Sequence, residues 1–261
     1  MLRILRITKG SKVSAMLNLK KIAALSLMGS MLAAGSLGYA HSLRTPAGDM
    51  PMVHWAVVES TPGDMAAMGR IAQETVGPQS ASEAGTYALY GGVDAESPDV
   101  MRLLEVYEIY EAYRIHSTSE AFQAYRAARL PVLKNLRIME ANGLALEQKD
   151  EGVGTLVYMH RYEVIPEKLA EYQKLAIEEA CRAVREEAGV MGMFVTAEHD
   201  APNVIHIMEI YRDREGFENY QASKPCRDYL ARVMPMFSKS HTVKNLPTKI
   251  VLTKKGKALA K

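Results

Sequence analysis

His116 lies in the stretch "LLEVYEIYEAYRIHSTSEAF" (residues 103–122), and 104 positions further on the chain reads "IMEIYRDREGFENYQASKPC", with Tyr220 in its place. Histidine is the side chain whose ordinary pKa lies near neutrality, so one kept in a single copy suits proton transfer in a ligand pocket. A helix-start histidine at the surface is the plainer reading. Glu105 and Glu209 occupy the same place in both copies, which fits a shared structural role such as pairing across a sheet interface. His160 and His206 fall on strands expected to be neighbours and, with His199, invite a metal reading. No carboxylate or cysteine completes a ligand set with convincing spacing, so a metal is not expected. His54 has no partner evident in the sequence. Cys181 and Cys226 also lack metal-ligand spacing; in an oxidising compartment they either close a disulfide or stay separate buried thiols. Gly-rich phosphate loops, nucleophile elbows and Cys-x-x-Cys pairs are missing, and "YGGVD" at 90–94 reads as a strand whose glycines mark a bulge.

The elements that must position these residues come from the repeat. Val53 and Val157, Glu59 and Glu163, Pro62 and Pro166, Tyr107 and Tyr211, Tyr125 and Tyr229, and Pro131 and Pro235 are all separated by 104, an offset held over most of each copy. Such a constant period marks a duplicated structural unit. "MVHWAVVES" and "TLVYMHRYEV" read as first strands ended by proline. "GDMAAMGRIAQETV" and "EKLAEYQKLAIEEACRAVREEA" carry helical spacing and are expected to be closed by C-cap glycines at 85 and 189. Two strands around Pro98 or Pro202 form a hairpin, a second helix follows from "EAYRIHSTSEAF" or "EGFENYQASKPC", and last strands are placed at "NGLALEQ" and "TKIVLTKK". The order β-α-β-β-α-β, twice, is the ferredoxin-like unit and an α+β class. Val204, Met208 and Ile210 alternate with Ile205 and Ile207, so this strand is apolar on both faces and both must be covered. Two tandem ferredoxin-like repeats packed sheet to sheet, as a pseudo-dimeric α/β barrel, solve this. The domains are expected at 50–149 and 153–253, with a basic tail at 254–261.

Residues 1–40 contain Arg3, Arg6, Lys9, Lys12, Lys20 and Lys21, no acidic residue, and the run "IAALSLMGSMLAAGSLGYA". This is the composition of a secretory signal peptide cleaved after Ala40, and an exported, periplasmic protein follows from it. An uncleaved anchor is the alternative, but the apolar run is interrupted and short of the ~20 residues of a span. Without the leader the formal charge of +2 becomes −4, and the lysines of the tail carry no interleaved aromatics, so nucleic-acid binding has no support.

The pattern of Glu105, Tyr107, Glu111, His116, Ser119 and Phe122 resembles the antibiotic biosynthesis monooxygenase superfamily of dimeric α/β barrels, its quinol monooxygenase-like branch in particular. The second copy keeps Glu209, Tyr211, Glu215 and Ser223 but has Tyr220 and Cys226 in place of His116 and Phe122. The resemblance implies an oxidation of a quinol or phenol by oxygen that needs no metal or flavin, with the pocket in the first repeat and His116 as the catalytic residue. Trp55, Tyr87, Tyr90 and Tyr113 are then the candidate walls for a flat ring. The same family contains haem-degrading members and proteins without known catalysis, so a periplasmic binding protein for a small aromatic or haem-like ligand is the alternative. A small aromatic ligand is the expected partner, and pairing into homo-oligomers is compatible with the fold.

Overall fold

Strands that are apolar on both faces can be satisfied only between two layers, and the chain provides them from its own two halves. The protein is described from a computed structural model. It covers residues 40–150, 154–238 and, for the backbone, 242–247. Apart from Ala40, which opens the first strand, the expected leader lies outside the described residues, as does the basic tail.

The first repeat consists of β1 (Ala40–Ser42), β2 (Met52–Ser60), α1 (Met65–Glu74), α2 (Val76–Ser82), β3 (Thr86–Val93), β4 (Val100–Tyr107), α3 (Tyr110–Thr118), α4 (Glu120–Arg129) and β5 (Leu133–Lys149). The second consists of β6 (Leu156–Glu163), α5 (Leu169–Glu186), β7 (Val190–Glu198), β8 (Val204–Tyr211), α6 (Arg214–Ala222), α7 (Lys224–Val233) and β9 (Thr242–Pro247). The strands run β3-β4-β2-β5-β7-β8-β6-β9, with β1 added to β5. Each half has the strand order of a ferredoxin-like sheet with antiparallel neighbours. β5 spans both: Leu133 to Asn142 pairs with β2, and Ala141 to Gln148 pairs with β7. The end strands β3 and β9 also meet, so the sheet curls toward closure.

The inner faces pack on one another. Val53, Trp55, Leu104 and Val106 of the first half form one buried cluster with Val157, Met159, Phe194, Met208 and Ile210 of the second. The outer faces are covered by helices: Ala56, Val58, Met101 and Leu103 under α1, and Ile205, Ile207 and Tyr211 under α5 to α7.

Several expectations are refined. Each second helix is two, α3 and α4 or α6 and α7, because Ser119 and Ser223 take extended backbone and accept hydrogen bonds from the amides of Phe122 and Cys226. The first helix breaks only in the first copy. Pro78 has no N–H to donate to the preceding turn and its ring crowds it, whereas Arg182 at the matching position lets α5 run unbroken. Gly85 and Gly189 are not left-handed C-caps, since only Gly48 and Gly63 have positive φ among the described residues. They are glycine because of close approach: a Cβ on Gly85 would lie 2.6 Å from that of Ala112, and one on Gly189 would run into the Gly216 backbone. The register shift in β3 falls between Thr86 and Ala88, not at Gly91 and Gly92. The last strand of the first repeat begins well before the expected "NGLALEQ". Cys181 and Cys226 are free.

Gly189→Ala should therefore push α6 off β7 and cost about 2–3 kcal/mol, lowering the melting temperature by roughly 5–10 °C. In a thermal melt, Gly91→Ala should cost much less, because its new Cβ meets the Leu103 side chain at 3.2 Å.

Candidate functional site

His116 is at the last turn of α3 and only 2% exposed, so it is not a surface residue. Its Nδ1 is 2.8 Å from Glu83 Oε2. Glu83 follows α2 and is fixed in turn, its Oε1 accepting from Gln79 Nε2 at 2.8 Å and its Oε2 from Thr86 Oγ1 at 2.7 Å. A carboxylate only accepts, so in the neutral ring Nδ1 carries the proton and Nε2 is left as the base.

The imidazole lines a pocket between the outer face of the sheet and α3–α4, with Ala56, Val58, Leu103, Glu105, Tyr113, Phe122, Tyr125, Arg129 and Ile138 around it. Tyr107 donates to Glu105 Oε2 at 3.2 Å. Burial raises the Tyr113 pKa, and the Glu105 charge raises it further. The cavity encloses about 60 Å³. That is well below the about 150 Å³ of an engineered cavity that takes benzene, so a ring enters only if side chains of the rim give way. Tyr113 and Phe122 are half-buried and Ile138 is 50% exposed, which leaves them room to do so.

The second repeat fills the same space. Ala56 and Val58 correspond to His160 and Tyr162, Thr75 to Glu179, and His116 to Tyr220. His160 Nε2 lies 3.1 Å from Glu209 Oε2, and the Tyr162 hydroxyl lies 3.1 Å from His160 Nδ1, while the Tyr162 ring stacks on Phe237. Tyr220 donates to Glu179 Oε1 at 3.1 Å, and Arg182 grips the same carboxylate with two hydrogen bonds. Burial pushes the Glu209 carboxyl up, but the His160 charge and hydrogen bonds from His160 and Tyr211 together hold it below its usual range. Burial raises the pKa of Cys226, which replaces Phe122, to about 11.

Of the residues singled out in the sequence, the pocket brings together His116, Tyr113 and Glu105. Glu105 and Glu209 face the helices and do not pair across the interface between repeats, because their strands present Leu104, Val106, Met208 and Ile210 to it. Trp55, Tyr87 and Tyr90 are not at the His116 pocket; they belong to the inner face. The indole of Trp55 donates to Thr196 Oγ1 at 2.9 Å, the Tyr90 hydroxyl donates to Gln148 Oε1 at 2.9 Å, and Tyr87 packs against the same cluster. Trp55 also lines a cleft of about 230 Å³ between the repeats, with Arg102, Met139, Met159, Arg161 and His206. His160 and His206 point to opposite faces, because His160 pairs with Ile207 and His206 with Arg161 across the same ladder. His206 bonds Glu198 at 2.8 Å. The residues missed in the sequence are Glu83, hidden in a shared "EAG", and Arg129. Reading mismatches at the 104 offset, such as Arg129 against Val233, would have found the second.

Residues 155–232 match the family model described as antibiotic biosynthesis monooxygenase. The structure resembles a protein of Lactobacillus acidophilus NCFM provisionally assigned as a monooxygenase, with TM-score 0.72 and 16% identity over 79% of this chain and 97% of that one. One from Fusobacterium nucleatum subsp. nucleatum, with the same provisional assignment, gives TM-score 0.71 and 18% identity over 81% and 98%. An anthrone oxidase-like protein gives TM-score 0.53 and 13% identity over 85% and 99%. At these identities the likeness establishes the shared fold. No curated protein matches the chain.

His54 yields a stability prediction. It is 2% exposed, its ring nitrogens have no hydrogen-bond partner, and burial lowers its pKa below the ordinary 6.5 despite Glu105 and Glu140. The unfolded chain therefore binds the proton first as pH falls, so this stability is present above about pH 6.5 and is lost as the pH drops toward the folded pKa. In urea unfolding at stepped pH, His54→Gln should flatten part of the loss of stability as the pH falls below about 6.5.

Proposed function

The chain belongs to the antibiotic biosynthesis monooxygenase superfamily, and we propose that it oxidises a small quinol or phenol with dioxygen, without a cofactor, in the first-repeat pocket. A monooxygenase-like function in general terms is what the family relation supports. The observation that carries the finer reading is the contrast between repeats: Ala56 and Val58 line the pocket beside His116, where the bulkier His160 and Tyr162 stand at the matching positions of the other copy.

In this reading His116 Nε2 takes the phenolic proton while Glu83 holds the ring and stabilises the imidazolium. The phenolate gives an electron to oxygen, and the superoxide and phenoxyl pair combine to a peroxide. The peroxide takes the proton back from His116 on its outer oxygen, and cleavage of the O–O bond with loss of the hydrogen on the same ring carbon releases water and leaves the new carbonyl. The apolar walls keep water away from these intermediates. The protein acts outside the cytoplasm in this account, in keeping with the basic and apolar character of its first 40 residues.

A second reading, a binding protein for a small aromatic ligand, is favoured by the roomier cleft beside Trp55. Oxygen uptake with a panel of hydroquinones separates the two. His116→Ala should lower kcat by about 10²–10⁴ with the fold intact, the range of a lost general base, and Glu83→Gln should lower it less. Tight binding of rings without oxygen uptake, lost in Trp55→Ala and kept in His116→Ala, would favour the binding protein.

A further inference from the structure

Arg129 ends α4 and is only 8% exposed. It lines the His116 pocket, its Nε has no hydrogen-bond partner, and among the described residues no carboxylate forms an ion pair with it. Its guanidinium lies 4.6 Å from the centre of the Tyr125 ring, and its charge and a side-chain hydrogen bond to Tyr125 pull that residue's pKa down against the larger rise caused by burial, so its one partner among the described residues is a neutral phenol. A charge removed from water is costly unless something of opposite sign meets it. The second repeat, whose pocket space is filled, has Val233 here, so the fold itself does not require an arginine.

The position of Arg129 sets a length. His116 is 5.0 Å from the Phe122 ring, Phe122 is 5.9 Å from Tyr125, and Arg129 follows one turn later, so one wall of the pocket runs from an acid-base end to a cationic end. Phe122 and Arg129 are seven residues apart on α4, roughly 10 Å at a helix's rise per residue. That is the span of a benzene ring with a hydroxyl at one end and a carboxylate at the other, including the hydrogen bonds made at each end. A guanidinium reads a carboxylate with two parallel N–H donors, which a neutral amide cannot reproduce.

We propose that the ligand of this pocket is an aromatic acid, a phenol or hydroquinone bearing a carboxylate remote from the hydroxyl, with the hydroxyl at His116 and the carboxylate on Arg129. This rests on the pocket reading above and narrows it to a substrate class. Arg129 is then the residue that selects for charge, while His116 and Glu83 handle the proton.

The test is calorimetric binding of three probes to the full protein: 4-hydroxybenzoate, its neutral isostere 4-hydroxybenzamide, and 2-hydroxybenzoate, whose carboxylate sits beside the hydroxyl and cannot span the pocket. The first should bind at least about tenfold tighter than the other two, the scale of one charge-assisted hydrogen bond. Arg129→Val, the residue the second repeat already has here, should bring the three within about twofold of one another, and Arg129→Lys should keep part of the preference. Equal binding of acid and amide to the native protein, or a preference that survives Arg129→Val, overturns the proposal. The outcomes also separate it from the catalytic reading. A charge preference without oxygen uptake leaves the acid site standing and removes the oxidation. Oxygen uptake on neutral hydroquinones, indifferent to Arg129→Val, does the reverse. Failure of all three probes to bind removes the pocket and the acid site together.

Discussion

The structure depends on the burial of two apolar inner sheet faces against one another. Trp55, Leu104 and Val106 of one repeat meet Phe194, Met208 and Ile210 of the other in a single cluster, and each such fully buried side chain contributes about 1.5–3 kcal/mol. The Trp55 indole hydrogen-bonds Thr196 across this layer, so the one polar atom of that ring is satisfied inside it. Neither half-sheet could stay in water with this face exposed; the other half of the same chain covers it, and β5 passes from one half to the other.

Because the shared inner layer secures the fold, the two outer faces are free to diverge. In the second repeat, His160, Glu209, Tyr162, Glu179, Tyr220 and Arg182 satisfy one another, making a polar but closed interior beneath unbroken α5. In the first, small residues on β2 and the break at Pro78 leave a pocket in which His116 is clamped by Glu83 and the Nε of Arg129 has no hydrogen-bond partner.

The architecture was legible because period-two strands, proline stops and a constant offset are local signals that repeat. The elements followed from them, and so did the need for a second layer. Helix breaks were not, since the capping by Ser119 and the effect of Pro78 depend on backbone geometry more than on apolar spacing. For the site, the difference between His116 and Tyr220 drew attention to the first copy, where Tyr113 lines the same pocket as the histidine. Trp55, Tyr87 and Tyr90 were grouped with them on residue type alone. Strand alternation turns Trp55 and Tyr90 to the inner face, and the register shift between Thr86 and Ala88 brings Tyr87 against the same cluster. Arg129 and Glu83 were invisible because their meaning lies in what they touch, or do not touch, across the helices.

The most direct measurement of the central claim, that one repeat holds the ligand and the other is closed, is a crystal structure of the protein with a brominated hydroquinone. The account predicts a single bromine peak within contact distance of His116, with Tyr113, Phe122 or Ile138 displaced and no peak near Tyr220. Bromine in the cleft beside Trp55, or equally in both repeats, would contradict it.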